Sequence, residues 1–328
     1  MLIDNHSREI NYMRLAVTDR CNLRCFYCMP EHGIKYANRS DLLTYEEMHR
    51  LIELLAAHGV HKLRITGGEP FVRNGMMNFL KQIRQITDLK EIHITTNGTF
   101  TKEYVPMLED LGINSINLSL DSLDKERFFE ITRRDVFDQV METYQSLLAS
   151  SIDVKINAVV MDGRNIEDIY PMLALTKNDD VSVRFIEEMP FNGTDGQGNA
   201  TFWPMKKILA HIAKEYNFEK LKDPVSSTSS NYQIKGHRGS FGVIAAYTRS
   251  FCGTCNRIRV TPQGGLKTCL YDQGTFSLRD VMRSGATNEQ LLAKIKQSIG
   301  ARAKDGFEAE ASRIDALPVS ESMATIGG

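Results

Sequence analysis

The chain has 328 residues, of which Lys and Arg number 40 and Asp and Glu 41, giving a net charge of -1 and a pI near 6.7. That length can bury a substantial core, as one large domain or a large one with a smaller companion. The balanced charge excludes the broad basic surface of a nucleic-acid-binding protein, so any anion must be held by a local patch. Residues 1–6 lack the basic and apolar regions of a secretory signal, and no apolar run reaches membrane-spanning length. The expected location is the cytoplasm, with neither membrane nor nucleic acid as partner.

A strand-like run at 14–18 leads into Cys21, Cys25 and Cys28, with three residues between the first two thiols and two between the last two. A tight loop at this spacing can aim all three at one point. Three ligands are one fewer than a closed structural zinc site or a four-iron cubane takes, so a cluster held here keeps one iron open to a small molecule. A zinc site completed by His32 or His6, or a loop of inert thiols, are the alternatives. A second thiol triplet, Cys252, Cys255 and Cys269, favours the cluster, and odd sets suit metal binding better than disulfides.

Thr44-Tyr45-Glu46-Glu47 is a capping-box pattern, and Met48, Leu51, Ile52, Leu54 and Leu55 follow at helical spacing up to Gly59. A strand at 62–66 runs directly into Gly67-Gly68-Glu69-Pro70, followed by a helix at 74–86. Further strands are expected at 91–96, 115–120, 154–160 and 181–187, with helices at 101–111, 124–150 and 166–176 between them. This alternation implies a parallel sheet with right-handed crossovers. Six βα strands are two short of a closed eight-stranded barrel. The expected fold is therefore α/β, a partial (βα)6 TIM-like barrel over 1–190 with a smaller C-terminal α+β domain over 191–328. The unusual residues fall where strands end, namely 67–70, 95–98, 119–121, Asn157 and 184–189, which is the rim where such folds build sites.

The three-thiol loop, with the aromatic Tyr27 before its last cysteine, resembles the signature of the radical S-adenosylmethionine (SAM) family. The resemblance implies a [4Fe-4S] cluster on Cys21, Cys25 and Cys28 whose open iron chelates SAM, and one-electron cleavage of SAM to a hydrogen-abstracting 5′-deoxyadenosyl radical. Gly67-Gly68-Glu69-Pro70 resembles the motif that meets the SAM amino group. By the same resemblance Ser119 contacts the SAM carboxylate or ribose, Met189 the adenine, and Asn157 lies nearby.

Beyond 190 the pattern changes to a polar, glycine-rich connection at 191–199, then a helix at 205–216, a flexible serine-rich loop at 226–230, strands at 242–247 and 257–260, and a helical tail. Two residues separate Cys252 from Cys255, and thirteen separate Cys255 from Cys269, across a hairpin turn at 262–265. A zinc ribbon would need a fourth ligand, and the nearest histidine is His237. Between the thiols, Arg257-Ile258-Arg259 on a strand puts two guanidinium groups on one face, a geometry that suits phosphate oxygens.

The second thiol set resembles that of the GTP-cyclising radical SAM family of molybdenum cofactor biosynthesis, and the resemblance runs from Arg14 to Gly327-Gly328. It implies a second [4Fe-4S] cluster on Cys252, Cys255 and Cys269 whose open iron binds guanine. It makes Arg14, Arg64, Thr95, Lys155, Arg257, Ile258 and Arg259 GTP contacts, and it brings the terminal glycines Gly327 and Gly328 into the active site. The implied product is (8S)-3′,8-cyclo-7,8-dihydroguanosine 5′-triphosphate. An external one-electron reductant and cyclic pyranopterin monophosphate synthase downstream are the implied partners, and a monomer or a homodimer would both accommodate this.

Overall fold

The computed structural model describes residues 1–189, 202–313 and 322–326. In chain order the strands are β1 (Tyr12–Ala16), β2 (Lys62–Thr66), β3 (Glu91–Thr96), β4 (Ser115–Ser119), β5 (Asp153–Val160), β6 (Val181–Glu187), β7 (Phe218–Lys220), β8 (Ser229–Ile234), β9 (Ser240–Ile244), β10 (Arg257–Val260), β11 (Gly265–Lys267) and β12 (Phe276–Ser277). Two units share them. One comprises Met1–Asn22, His32–Ile94 and Cys252–Gly328, the other Leu23–Glu31 and Thr95–Phe251. The boundary expected at 190 lies outside the described residues, and the described chain after it is divided, 202–251 going to the second unit and the rest to the first.

In the first unit the strand order is β12-β11-β10-β1-β2-β3, with β3 contributing its residues through Ile94. β10, β1, β2 and β3 are parallel, and the β10–β11 and β11–β12 pairs are antiparallel. Period-two alternation splits these strands cleanly. Met13, Leu15, Leu63, Ile65, Ile92 and Ile94 are almost fully buried on one face, while Tyr12, Arg14, Lys62, Arg64, Glu91 and His93 occupy the other. The helix Tyr45–Ala56 begins with the expected capping box, in which Thr44 Oγ1 accepts from the Glu47 amide and the Glu47 carboxylate accepts from the Thr44 amide. It buries Met48, Leu51, Ile52 and Leu55, and its Tyr45 ring stacks on Phe79 of the helix Met76–Ile83 with centroids 4.7 Å apart.

The second unit runs β4-β5-β6-β9-β8-β7. β4, β5, β6 and β9 are parallel, and β8 and β7 return antiparallel. Here too one face is apolar, with rows such as Leu118, Ile156 and Val183, and the other polar, with Asn117, Lys155 and Ser182 in register and then Ser119, Asn157 and Arg184. At the end of β6 the fully buried Glu187 carboxylate accepts from the amides of Met205, Tyr247 and Thr248 and from the Thr248 hydroxyl, at 2.7–3.0 Å. One acidic side chain thus ties the start of the helix Met205–Ile212 to the end of β6.

Four local expectations shift. The first strand lies at Tyr12–Ala16 rather than 14–18. The single helix expected at 124–150 is two, Lys125–Thr132 and Phe137–Leu148. Arg133 adopts φ 55°, and Thr132 Oγ1 donates to the Phe128 carbonyl, closing the first helix with a left-handed cap. The span 101–111 opens with a 3-10 turn before Val105–Asp110, where Pro106 occupies the first helical turn. The serine-rich loop at 226–230 is already strand by Ser229, because β8 pairs there with β9.

Among the described residues no helix is long and apolar enough to cross a membrane. The capping box yields a direct test of the local reading. Replacing Thr44 by alanine is expected to lower unfolding stability by about 1 kcal/mol in urea titration, and an unchanged midpoint would mean that the cap contributes nothing.

Candidate active site

Close backbone approach fixes the loop before the first thiol. The Gly68 amide donates to the Thr18 carbonyl and the Glu69 amide to the Arg20 carbonyl, each at 2.8 Å, so 67–69 lies directly against 18–20. Gly67 has φ 149°, and a Cβ there would meet Thr18 O at 2.5 Å; at Gly68 it would meet Arg20 O at 2.2 Å. Only glycine fits either position. Glu69 is fully buried, and its carboxylate accepts from the Phe71 amide at 3.1 Å.

Cys21 closes that stretch of the first unit, while Cys25, Tyr27 and Cys28 belong to the second. Amides of Arg24 and Phe26 donate to the carbonyls of Thr132 and Ile131, and a turn joins Cys28 N to Cys25 O at 2.9 Å. Tyr27 Oη donates to Asp121 Oδ2 at 2.7 Å. Burial, the Asp121 carboxylate and the Cys25 thiol all hold the Tyr27 phenol well above its ordinary range, so it stays protonated and donating. Burial likewise raises the Asp121 carboxyl to about 6, although the Tyr27 and Val159 hydrogen bonds oppose it.

Ser119, Asn157 and Arg184 stand in register across β4, β5 and β6. Asn157 Oδ1 is buried with no hydrogen-bond partner among the described residues. A buried acceptor without a donor is costly, so this atom suits a ligand that brings a hydroxyl or an ammonium. Lys155 lies one pleat earlier and pairs with Asp153; Thr95 and Met189 are half-buried, at the ends of β3 and of the segment after β6.

In the first unit the parallel register aligns Arg259, Arg14, Arg64 and His93 side by side on β10, β1, β2 and β3, and Lys267 of β11 pairs with Arg259. The row one pleat earlier is Arg257, Tyr12, Lys62 and Glu91. Burial lowers the Arg14 guanidinium well below its usual value, and the neighbouring Arg259 lowers it further; burial and then Arg257 act likewise on Arg259. Tyr12 Oη accepts from Arg64 Nε at 2.6 Å. Burial works to raise that phenol, yet Arg64, Arg14 and Arg257 together bring it down to about 8. Ile258, between the two arginines, is fully buried on the opposite face, so only its backbone is available to a ligand.

All six cysteines are thiols rather than disulfides, and each is half-buried. Among the described residues no three His, Cys, Asp or Glu side chains surround a single metal-ion position. A four-iron cluster is larger than one ion and sits among its thiolates without requiring them in contact. The second set has the electrostatics for it. Burial raises the Cys255 thiol, but Arg257 and Arg302 outweigh that and lower it to about 6, favouring the thiolate that binds iron. Cys269 is pushed up to about 11, chiefly by burial and also by Asp272, Cys255 and Cys252. Asp272 shapes this loop by accepting from the amides of Thr268 and Cys269. Gly327 and Gly328 lie outside the described residues.

Sequence reasoning passed over Lys62 and singled out Arg184 only as the start of the rim segment 184–189, although each alternates with buried apolar neighbours just as Arg64 and Lys155 do. Period-two spacing alone would have found them. Lys267 and Arg302 carried no such signal, because an antiparallel pairing and a distant segment bring them in.

The family described as "Radical SAM superfamily" matches residues 15–176, and "Molybdenum Cofactor Synthesis C" matches 181–307. A solved structure, "Crystal structure of Streptococcus suis SuiB", superposes on 93% of this chain and 69% of its own with a TM-score of 0.61 at 14% identity, a likeness of fold alone. Fold and motifs thus define a radical SAM protein with the partial TIM-like barrel. The "GTP 3',8-cyclase" of Syntrophomonas wolfei is 39% identical over 298 residues, covering 88% of this chain and 90% of that protein. The chain belongs to the GTP 3′,8-cyclase family. "Molybdenum cofactor biosynthesis protein moc-5" of Caenorhabditis elegans is 39% identical over 90% of this chain but only 50% of that protein, so the chain spans about half the length of the animal relatives it matches.

Tyr12 reports on the field of the arginine face. Difference absorbance between wild type and Tyr12→Phe should show one phenol ionising near pH 8 instead of 10. Since the folded phenol ionises below its ordinary value, its ionisation adds stability as pH rises through 8 towards 10. A single ionisation at the ordinary value would show that the guanidinium groups exert no such field.

Proposed function

We propose that this chain is a radical SAM cyclase that converts GTP to (8S)-3′,8-cyclo-7,8-dihydroguanosine 5′-triphosphate in molybdenum cofactor biosynthesis. The observation that carries the reading is the row of Arg259, Arg14 and Arg64, three guanidinium groups side by side across parallel strands, flanked by Arg257, Lys62 and Lys267. Like charges gathered on one partly buried face suit an anion of several charges such as a triphosphate, and Glu91, paired with Lys62, offsets only part of them. Family membership supports the choice of GTP and of the reaction.

Cys21, Cys25 and Cys28 would hold a [4Fe-4S] cluster, and Cys252, Cys255 and Cys269 a second one that meets the guanine. Gly67, Gly68, Glu69, Tyr27, Ser119, Asn157 and Met189 would enclose SAM. The bound cluster supplies the electron that cleaves SAM and so the hydrogen-abstracting radical. The chain's own residues do the rest by position. Gly67 and Gly68 let backbone carbonyls reach an ammonium, Glu69 adds a carboxylate, and Asn157 Oδ1 offers its acceptor. The arginines would clamp phosphates, with Arg14, Arg64, Thr95, Lys155, Arg257, Ile258 and Arg259 around the nucleotide, and Gly327 and Gly328 would take part in catalysis. The protein would act in the reducing cytoplasm, drawing one electron from an external reductant and passing its product to cyclic pyranopterin monophosphate synthase.

Anaerobically reconstituted, reduced protein given SAM and GTP is expected to form 5′-deoxyadenosine and cyclised nucleotide. Cys21→Ser should abolish 5′-deoxyadenosine, whereas Cys269→Ser should stop cyclisation yet leave some SAM cleavage; intact GTP turnover in the Cys269→Ser protein would refute this division. The arginine face is tested separately by binding. Arg259→Met should weaken GTP by roughly 1.5–3 kcal/mol while hardly affecting guanosine, and an equal loss for both would assign the residue to the fold.

A further inference from the structure

A buried arginine from a distant segment reaches the second thiol set. Arg302 follows the helix Asn288–Gly300 and is 4% exposed. Its Nη2 donates to Cys255 Sγ at 2.9 Å and its Nη1 to the Cys255 carbonyl at 3.0 Å. The N-terminal segment braces this arrangement. Asp4 Oδ2 lies 3.6 Å from Arg302 Nη1 and pairs with Arg8 Nε at 2.7 Å. Arg8 in turn donates to the carbonyls of Cys252, Ala303 and Lys304, and His6 Nε2 stands 3.1 Å from the Arg302 carbonyl. Residues 4–8 and 302–304 thus form a clamp over the loop that carries Cys252 and Cys255.

We propose that Arg302 is a positioning residue that donates a charge-assisted hydrogen bond to a thiolate ligand of the second cluster and raises the reduction potential of that cluster. The inference rests on the reading of Cys252, Cys255 and Cys269 as cluster ligands. Reduction adds one negative charge to the cluster and its sulfurs. A guanidinium directed at one of those sulfurs stabilises the more negative state in preference to the oxidised one. Asp4 works against it, since its buried carboxylate neutralises part of the same charge. Arg302 and Asp4 therefore move the potential in opposite directions, which a purely structural clamp would not do.

The test uses holoenzyme, with iron counted per chain and the spectroscopic signals of the two clusters followed during an anaerobic dithionite titration. Arg302→Met should keep full iron and shift the second cluster alone to more negative potential, by about a tenfold change in the equilibrium constant for reduction, equivalent to about 59 mV for a one-electron couple. Arg302→Lys should recover part of the shift, and Asp4→Asn should shift the same cluster to more positive potential. Full iron with both potentials unmoved in Arg302→Met and Asp4→Asn would overturn the proposal. If Arg302→Met fails to hold the second cluster, Asp4→Asn decides, and a negative or absent shift there counts against the proposal. Wild-type protein that loads only one cluster would overturn the ligand reading itself, which the iron count separates from a failure of Arg302 alone.

Discussion

Three guanidinium groups on adjacent parallel strands repel one another, and a sheet interior is a poor place to put them. Arg259, Arg14 and Arg64 nevertheless share one pleat, with His93 and Lys267 at the two ends of the row. Parallel strands are usually apolar on both faces because both are covered. Here the helix-covered face keeps that rule, with Met13, Leu15, Leu63 and Ile65 buried, while the other face is given over to charge. Burial and mutual repulsion lower the affinity of Arg14 and Arg259 for their protons, and the pressure is relieved partly by a phenol one pleat earlier, Tyr12, that itself becomes easier to ionise. A polyanionic ligand relieves it further. The repulsion is built in during folding, before any ligand binds.

The scaffold meets this constraint with backbone and single acidic side chains rather than with a wall of ion pairs. Gly67 and Gly68 lie against 18–20 so closely that the end of β2 and the segment before Cys21 are held backbone to backbone. In the other unit Asp121 gathers Tyr27 Oη and the Val159 amide, and Glu187 gathers three amides and a hydroxyl. Each carboxylate is buried and hydrogen-bonded by donors that would otherwise be orphaned, which holds loop ends in place without a cationic partner.

Much of this was legible in the amino-acid order, for reasons that differ by element. The capping box at Thr44, the strands at Lys62–Thr66 and Glu91–Thr96 and the hairpin between β10 and β11 depend on neighbours a few residues apart, so local pattern suffices. The thiol triplets and the Gly67–Gly68 motif were visible because their chemistry demands particular residue types at fixed spacing. The break after Thr132 was not legible, because it depends on Arg133 turning to φ 55°, a backbone choice that helical periodicity does not encode.

What the chain order determined, then, was the inventory: six βα strands, two sets of three thiols, and alternating arginines that could share a face. Only the tertiary structure decided which of those faces meet. The register that sets Arg259 beside Arg14 and Arg14 beside Arg64 arises from pairing strands far apart in sequence, β10 with β1 and β1 with β2. Likewise nothing near Cys255 announces Arg302, and nothing near Arg302 announces Asp4; their meeting is a product of chain return, with the N-terminal segment and the segment after Gly300 packed over one loop. Short-range order is written in spacing because turns and pleats have fixed periods, whereas contacts between distant segments are selected by burial of the whole core, and that selection becomes visible only once the chain has folded.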